Sequence, residues 1–78
     1  MSKHRNPAVE TLPHPEGGWG NKVQRNERFS NRAPTKAEAE RVGRDMARQR
    51  HTEHIIKKRD GTIGERNSYG RDPYPPRG

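Results

Sequence analysis

Bulky apolar side chains are scarce in this chain, and their number limits what it can fold into. Only 23% of the 78 residues are hydrophobic, and 35% are charged. The bulky side chains available for a core are Val9, Leu12, Trp19, Val23, Phe29, Val42, Met46, Ile55, Ile56, Ile63, Tyr69 and Tyr74. A buried one contributes roughly 1.5–3 kcal/mol, whereas ordering each residue of the chain costs about 1.5 kcal/mol. The sequence therefore predicts a single small two-layer domain with a thin surplus of stability.

Further stabilisation cannot come from disulfides, because the chain has no cysteine. A second copy of the chain, a bound partner or economical packing are the remaining sources. No apolar run approaches the roughly eighteen residues of a membrane span, and the opening stretch MSKHR precedes no apolar segment typical of a signal peptide. We expect a cytoplasmic protein with a flexible basic arm at residues 1–8. Residues 9–78 are expected to form one domain that includes the tail, 67–78.

A helix is the clearest element in the sequence. Pro34 disfavours helix before it, Thr35 is a good N-cap, and Glu38 completes a capping box. Gly43 costs about 1 kcal/mol relative to alanine in a helix, and a close approach of the helix to a sheet would explain it. The helix is expected to end within residues 50–52. The stripe expected to face the sheet is Ala39, Val42, Gly43, Met46 and Arg50.

Short strands are predicted on both sides of this helix. They cover residues 9–14, 19–25, 28–32, 53–58 and 62–66. Asp60-Gly61 predicts a type I′ hairpin between the last two strands. The fold class is therefore α+β, a small antiparallel sheet in the order β-β-β-α-β-β with one helix on one face.

Several of these features occur together in a known family. The chain combines GGW after a turn, TKAEA at the helix start, a DG hairpin and the ending RNSYGRDPYPPRG. In these motifs it resembles the uncharacterised bacterial family called domain of unknown function 2188, from Val9 to Gly78. The resemblance implies a compact α+β domain from bacteria or their phages and implies no activity. Asn21, Lys22 and Asn67 depart from the residues usual in that family.

The proline-rich ending has two tyrosines, Tyr69 and Tyr74, which are a sizeable part of the bulky apolar set. Pro75 and Pro76 fix an extended path at low entropic cost. We predict that Tyr69–Pro76 packs back on the domain, across the sheet face that the helix leaves uncovered. Two other interpretations stay open: a proline-rich ligand for another domain, and a disordered tail.

Side chains that would indicate catalysis or metal binding are few. His51 and His54 form an H-x-x-H pair, but zinc needs three or four ligands, and exposed turn histidines are the simpler interpretation. Ser30 and Ser68 lack the context of an activated nucleophile. We expect no enzyme activity, no cofactor and no metal. Trp19 is expected in the core, against Val42 and Met46, with an exposed partner anchor as the alternative.

The net charge of +7 is the remaining chemical signal. Two hypotheses follow. The first is a non-catalytic protein-interaction module, with a homodimer as one form, that uses an edge strand or the uncovered sheet face. The second is a nucleic-acid-binding accessory protein. Its candidate contacts are Arg41, Arg44, Arg48, Lys57, Lys58, Arg59, Lys3 and Arg5. Trp19, Tyr69, Tyr74, Pro75 and Pro76 are the candidate structural motif.

Overall fold

The computed structural model describes residues 7–69. It contains β1 (Val9–Pro13), β2 (Trp19–Val23), β3 (Asn31–Ala33), α1 (Lys36–Arg50), β4 (Glu53–Lys57) and β5 (Ile63–Ser68). These elements confirm the α+β class and the predicted order. The predicted arm with Lys3 and Arg5, and the predicted docking of the tail with Tyr74, Pro75 and Pro76, lie outside the described residues.

The five strands form one sheet in the order β3-β2-β1-β4-β5. Neighbouring strands are antiparallel except at the centre, where β1 and β4 run parallel. The sheet is therefore mixed, and the expected wholly antiparallel arrangement is wrong at this one pairing. The cause is α1, which carries the chain back across the sheet between β3 and β4, so that β4 starts from the same end as β1.

Helix α1 begins and ends as its sequence predicts. The hydroxyl of Thr35 accepts a hydrogen bond from the N–H of Glu38 at 3.3 Å, which confirms the N-cap. At the other end His51 adopts a left-handed φ of 53°, and the Thr52 N–H donates to the carbonyl of Ala47. These bonds satisfy backbone groups that the last turn would otherwise leave unpaired.

The buried stripe of α1 differs from the predicted one. Ala39, Gly43 and Ala47 are buried, whereas Val42 is 41% exposed and Arg50 is exposed. The helix thus turns its smallest residues toward the sheet, because only these permit a close approach of the two layers. Size, and not hydrophobicity alone, decides which side of this helix is covered.

Trp19 is a core residue, as predicted, with only 6% of its surface exposed. Its ring is flanked by cations: Lys36 Nζ lies 5.2 Å and Arg59 Cζ 5.5 Å from the ring centroid. We expected Val42 and Met46 beside the ring, but Val42 is exposed, and the Met46 thioether accepts a hydrogen bond from Asn31 on β3. The cationic groups of Lys36 and Arg59 therefore lie over the indole ring of Trp19.

The face of the sheet opposite α1, here called the open face, is partly covered by a loop residue. Phe29, which was predicted to lie in a strand, precedes β3 and packs its ring over Gly20. Its ring centroid is 4.3 Å from that of His14, and Lys22 Nζ lies 5.7 Å from it. A Cβ at position 20 would clash with this ring, so glycine is required by packing here.

The turn between β4 and β5 uses Gly61 differently from the predicted type I′ turn. Gly61 has a φ of 95°, but Asp60 does not have the positive φ that a type I′ turn requires. The Gly61 N–H donates to the carbonyl of Lys58, and the Lys58 N–H donates to that of Thr62. The loop is therefore one residue longer than expected, with glycine in its left-handed position.

Candidate functional site

A row of polar side chains lies buried between α1 and the sheet. Thr11, Asn21, Asn31 and His54 come from four adjacent strands, and all but Asn31 are almost completely buried. Thr11 faces Asn21 across β1 and β2, and Asn21 faces Asn31 across β2 and β3. We call these four residues the polar row. Its position directly beneath Gly43 makes it the most unusual feature of the core.

The direction of each hydrogen bond in the polar row can be assigned. The carbonyl of Ala39 only accepts, so the Asn21 atom 2.9 Å away is its amide nitrogen, which also donates to Asn31 Oδ1. Asn21 Oδ1 then accepts from the Thr11 hydroxyl at 2.5 Å. Thr11 Oγ1 in turn accepts from Nε2 of His54 at 2.7 Å. His54 therefore has its proton on Nε2.

Burial lowers the pKa of His54 below its usual value of 6.5, and the positive charge of Arg44 lowers it further. The carboxylate of Glu65 acts in the opposite direction but is the smallest of these effects. His54 is thus a neutral, buried, hydrogen-bonded group and not the exposed turn residue that we expected. Because Gly43 closes the polar row from solvent, this cluster stabilises the fold and offers no surface to a substrate.

The described residues contain no group of three or more side chains suited to a metal ion. The two residues of the H-x-x-H pair separate in space, since His51 is an exposed helix cap and His54 points into the core. No helix within residues 7–69 is long and apolar enough to cross a membrane.

Strand β5 is the most accessible regular element of the described chain. All six of its residues, Ile63–Ser68, are exposed. It pairs with β4 on one side and is the last strand of the sheet on the other. Within residues 7–69 no strand covers its outer edge, so this edge presents backbone donors and acceptors to solvent.

The backbone groups that point outward from β5 can be identified from one hydrogen bond. The Tyr69 N–H donates to the carbonyl of Thr52 at 3.1 Å, in register with the β4–β5 ladder. In an antiparallel pair, residues bonded to the neighbouring strand alternate with residues whose N–H and C=O point away. Asn67 is therefore bonded to β4, whereas Arg66 and Ser68 direct their backbone groups to the outer edge.

Three arginines follow one another along the exposed side of α1. Arg41, Arg44 and Arg48 form no ion pair with any carboxylate among the described residues. Ion pairs elsewhere join Lys36 to Glu40, Lys57 to Glu10 and Arg66 to Glu53. Arg48 Cζ lies 6.0 Å from the ring centroid of Tyr69, just beyond β5. We call Arg41, Arg44 and Arg48 the arginine row. Its member Arg44 acts on the charge of His54 in β4, and Arg48 reaches Tyr69 at the end of β5.

The comparison with known families decides where this chain belongs. An uncharacterised protein family conserved in bacteria, DUF2188, matches residues 9–69. The chain is a member of DUF2188. The match begins with β1 and ends one residue after β5, so it coincides with the whole of the fold described above. No curated protein and no solved structure matches the chain.

The predicted basic contacts of this DUF2188 chain do not form one surface. The arginine row lies together on α1, but Lys57 is paired with Glu10 and Arg59 stacks on Trp19. Lys58 is exposed in the turn after β4. The structure thus brings three of the predicted contacts together and uses two others within the fold.

Sequence reasoning missed the polar row and the accessible edge of this DUF2188 domain. A signal for the polar row was present in the sequence. Thr11 and Asn21 are polar residues at inward positions of their strands, and Gly43 is a glycine within the helix that lies above them. Asn21, a departure from the usual family residue, thereby gains a structural explanation. The outer edge of β5 had no such signal, because strand order is not visible in a single sequence.

Proposed function

We propose that this DUF2188 chain is a non-catalytic protein-interaction module that binds an extended segment of a partner along the outer edge of β5. The observation that supports this most directly is the exposure of all six residues of β5 at the end of the sheet. An exposed edge strand is a template for a further strand, and its main-chain hydrogen bonds supply affinity. The cytoplasmic location expected from the sequence is part of the proposal.

The two edges of the sheet differ in a way that favours β5. The opposite edge strand, β3, has only three residues, Asn31–Ala33, and a short strand is a poor template for pairing. β5 has six residues and is twice as long. Its outer side offers the N–H and C=O groups of Arg66 and Ser68, which are spaced for pairing with an added strand.

The test blocks the outer edge without breaking the β4–β5 ladder. Proline at position 68 removes an N–H that points outward, and proline is tolerated on edge strands when its missing N–H would face solvent. Ser68→Ala keeps the N–H and is the matched control. We expect strand-forming peptides of about ten residues to shift the amide resonances of Arg66 and Ser68 in the wild type and in Ser68→Ala. Ser68→Pro should lose this binding while keeping its thermal midpoint.

The outcome against the proposal is also defined. If no peptide of acidic, neutral or basic composition perturbs the β5 amides, or if Ser68→Pro binds as well as Ser68→Ala, strand addition at β5 is wrong. Slower hydrogen exchange of the Arg66 and Ser68 amides in the bound wild type tests the same contact without any substitution.

Nucleic-acid binding is a second candidate, favoured by the arginine row alone. Three neighbouring guanidinium groups without ion pairs among the described residues suit a phosphate backbone. The test is fluorescence anisotropy with a labelled duplex at about 50 mM and about 200 mM salt. Binding should weaken steeply with salt and be reduced in Arg41→Ala/Arg44→Ala. The control is Arg25→Ala/Arg28→Ala, which removes the same charge from two exposed residues in the loop between β2 and β3. An equal loss of binding in both variants contradicts a specific role of the row.

A further inference from the structure

The surroundings of β5 limit which partner its edge fits. We infer that the partner is a separate extended segment with acidic side chains at alternate positions, and not a second copy of this chain. The inference rests on the proposed function and adds the chemical class of the partner. Two independent observations support it: the charge beside the edge, and the pairing that two copies of β5 would make.

The charge beside the edge is positive on the side covered by α1. Arg44 is close enough to β4 to lower the pKa of His54, and Arg48 lies over the ring of Tyr69 just after β5. The charge of Arg44 thus acts on His54, which lies directly opposite Asn67 of β5, and that of Arg48 lies at the end of β5. Glu65 of β5 faces the same side, and its effect on His54 is smaller than that of Arg44.

An added strand would present its side chains to the two faces of the sheet in turn. Every second side chain of the added strand would lie on the same side of the sheet as α1. There it would be beside Glu65, Asn67 and Tyr69, on the side where the arginine row lies. Carboxylates at those positions would meet Arg44 and Arg48, which no described carboxylate pairs. The intervening side chains would lie on the open face, where Arg66 is already paired with Glu53. Acidic residues are therefore required only at those alternate positions of the partner strand whose side chains lie on the side of α1.

Self-pairing of β5 is disfavoured by the same residues. Two copies of β5 could join their edges as antiparallel strands related by a two-fold axis normal to the sheet. This symmetry keeps each face of the sheet on the same side, so the residue at the centre of the paired segment lies opposite the same residue of the other copy. The two registers that pair most of Ile63–Ser68 are centred on Glu65 or on Arg66. Each places like charges directly opposite each other, which destabilises an antiparallel pair. These charges protect the edge from its own copy while leaving it open to a complementary strand.

The experiment uses the full chain and three synthetic peptides of about ten residues with valine at alternate positions. The other positions are glutamate in the first peptide, glutamine in the second and lysine in the third. Titration of the ¹⁵N-labelled protein at low salt should give the order glutamate, glutamine, lysine in affinity, with glutamate about fivefold to tenfold tighter than glutamine. Arg44→Ala/Arg48→Ala should remove most of this preference, and Arg25→Ala/Arg28→Ala should retain it.

Each outcome has a separate meaning. Equal affinity for the glutamate and glutamine peptides, with both lost in Ser68→Pro, overturns the acidic partner and leaves strand addition intact. No peptide contact at β5 overturns the proposed function itself. Duplex DNA could instead bind through the arginine row and displace the peptide. If that binding is unchanged in Ser68→Pro, nucleic acid is favoured as the ligand and the inference is contradicted. A concentration-dependent dimer that Ser68→Pro abolishes contradicts the exclusion of a second copy.

Discussion

The hydroxyl of Thr11 lies 2.7 Å from Nε2 of His54, at a point where both side chains are almost completely removed from solvent. The same hydroxyl donates to Asn21, so one atom joins β1 to two neighbouring strands. A domain with few bulky apolar residues thus places a polar connection where larger proteins place aliphatic side chains. Such a network specifies one arrangement of strands and helix, because every other arrangement leaves buried polar groups unpaired.

Replacing Thr11 with valine should destabilise the domain by about 2–4 kcal/mol, although the two side chains have nearly the same shape. The change leaves the Nε2 proton of His54 and Oδ1 of Asn21 without partners, and each buried orphan costs about 1–3 kcal/mol. Urea unfolding measures the difference. Thr62→Val, which removes one exposed hydrogen bond to Asp60, is the control and should cost less than 1 kcal/mol, as expected for an exposed bond. Equal losses in the two variants would contradict the role of the polar row.

Stability should fall as the pH drops below 6.5. The folded state lowers the pKa of His54, so the unfolded chain binds a proton first, and the stability present above pH 6.5 is lost as the pH approaches the folded-state pKa. Arg44 opposes protonation in the folded state, and Glu65 favours it to a smaller extent. Urea midpoints measured across this range should show a slope that His54→Gln reduces. The control His51→Gln should keep the same dependence of stability on pH. If His54→Gln also leaves this dependence unchanged, it arises from other titratable groups.

Gly43→Ala should destabilise the domain even though alanine is the better helix former by about 1 kcal/mol. A Cβ at this position would lie 2.6 Å from both His54 Nε2 and Thr11 Oγ1, and closer still to Asn21 Oδ1. Overpacking of this kind costs about 1–3 kcal/mol, and here it also displaces the polar row. Thermal unfolding measures the net effect, with Ala37→Gly at an exposed position of α1 reporting propensity alone. A higher midpoint for Gly43→Ala would mean that the helix does not approach the sheet this closely.

Arg59→Ala should expose the indole of Trp19. The guanidinium carbon of Arg59 lies 5.5 Å from the ring centroid, and an exposed cation over a tryptophan contributes about 0.5–1 kcal/mol. Because Trp19 is the only tryptophan, its fluorescence reports this contact directly. We expect a shift of the emission to longer wavelength and stronger quenching by acrylamide. Lys58→Ala, at the neighbouring position, should change neither; the same quenching in both variants would exclude a specific stacking role.

Local structure followed from the sequence where the signal was local. The N-cap at Thr35 and the strands after α1 could be predicted because capping and alternation depend on residues within a few positions. The hairpin type at Asp60 and Gly61 was wrong, since the preceding Arg59 joins the same dipeptide in a three-residue loop closed by Lys58 and Thr62. The parallel pairing of β1 with β4 was also missed, because it depends on where the chain returns after crossing the sheet.

By itself the sequence determined a small α+β domain with one well-capped helix and a basic surface. Its residues also determined which side chains are too polar for an ordinary core, although not where they go. Only the tertiary structure decided that Thr11, Asn21 and His54 meet beneath Gly43, and that β5 rather than β3 provides the longer edge. The physical reason is distance along the chain: these contacts join residues up to 43 positions apart, and no local preference encodes them. The arginine row depends on both: its helical spacing is visible in the sequence, but the contact of Arg48 with Tyr69 is set by the tertiary structure.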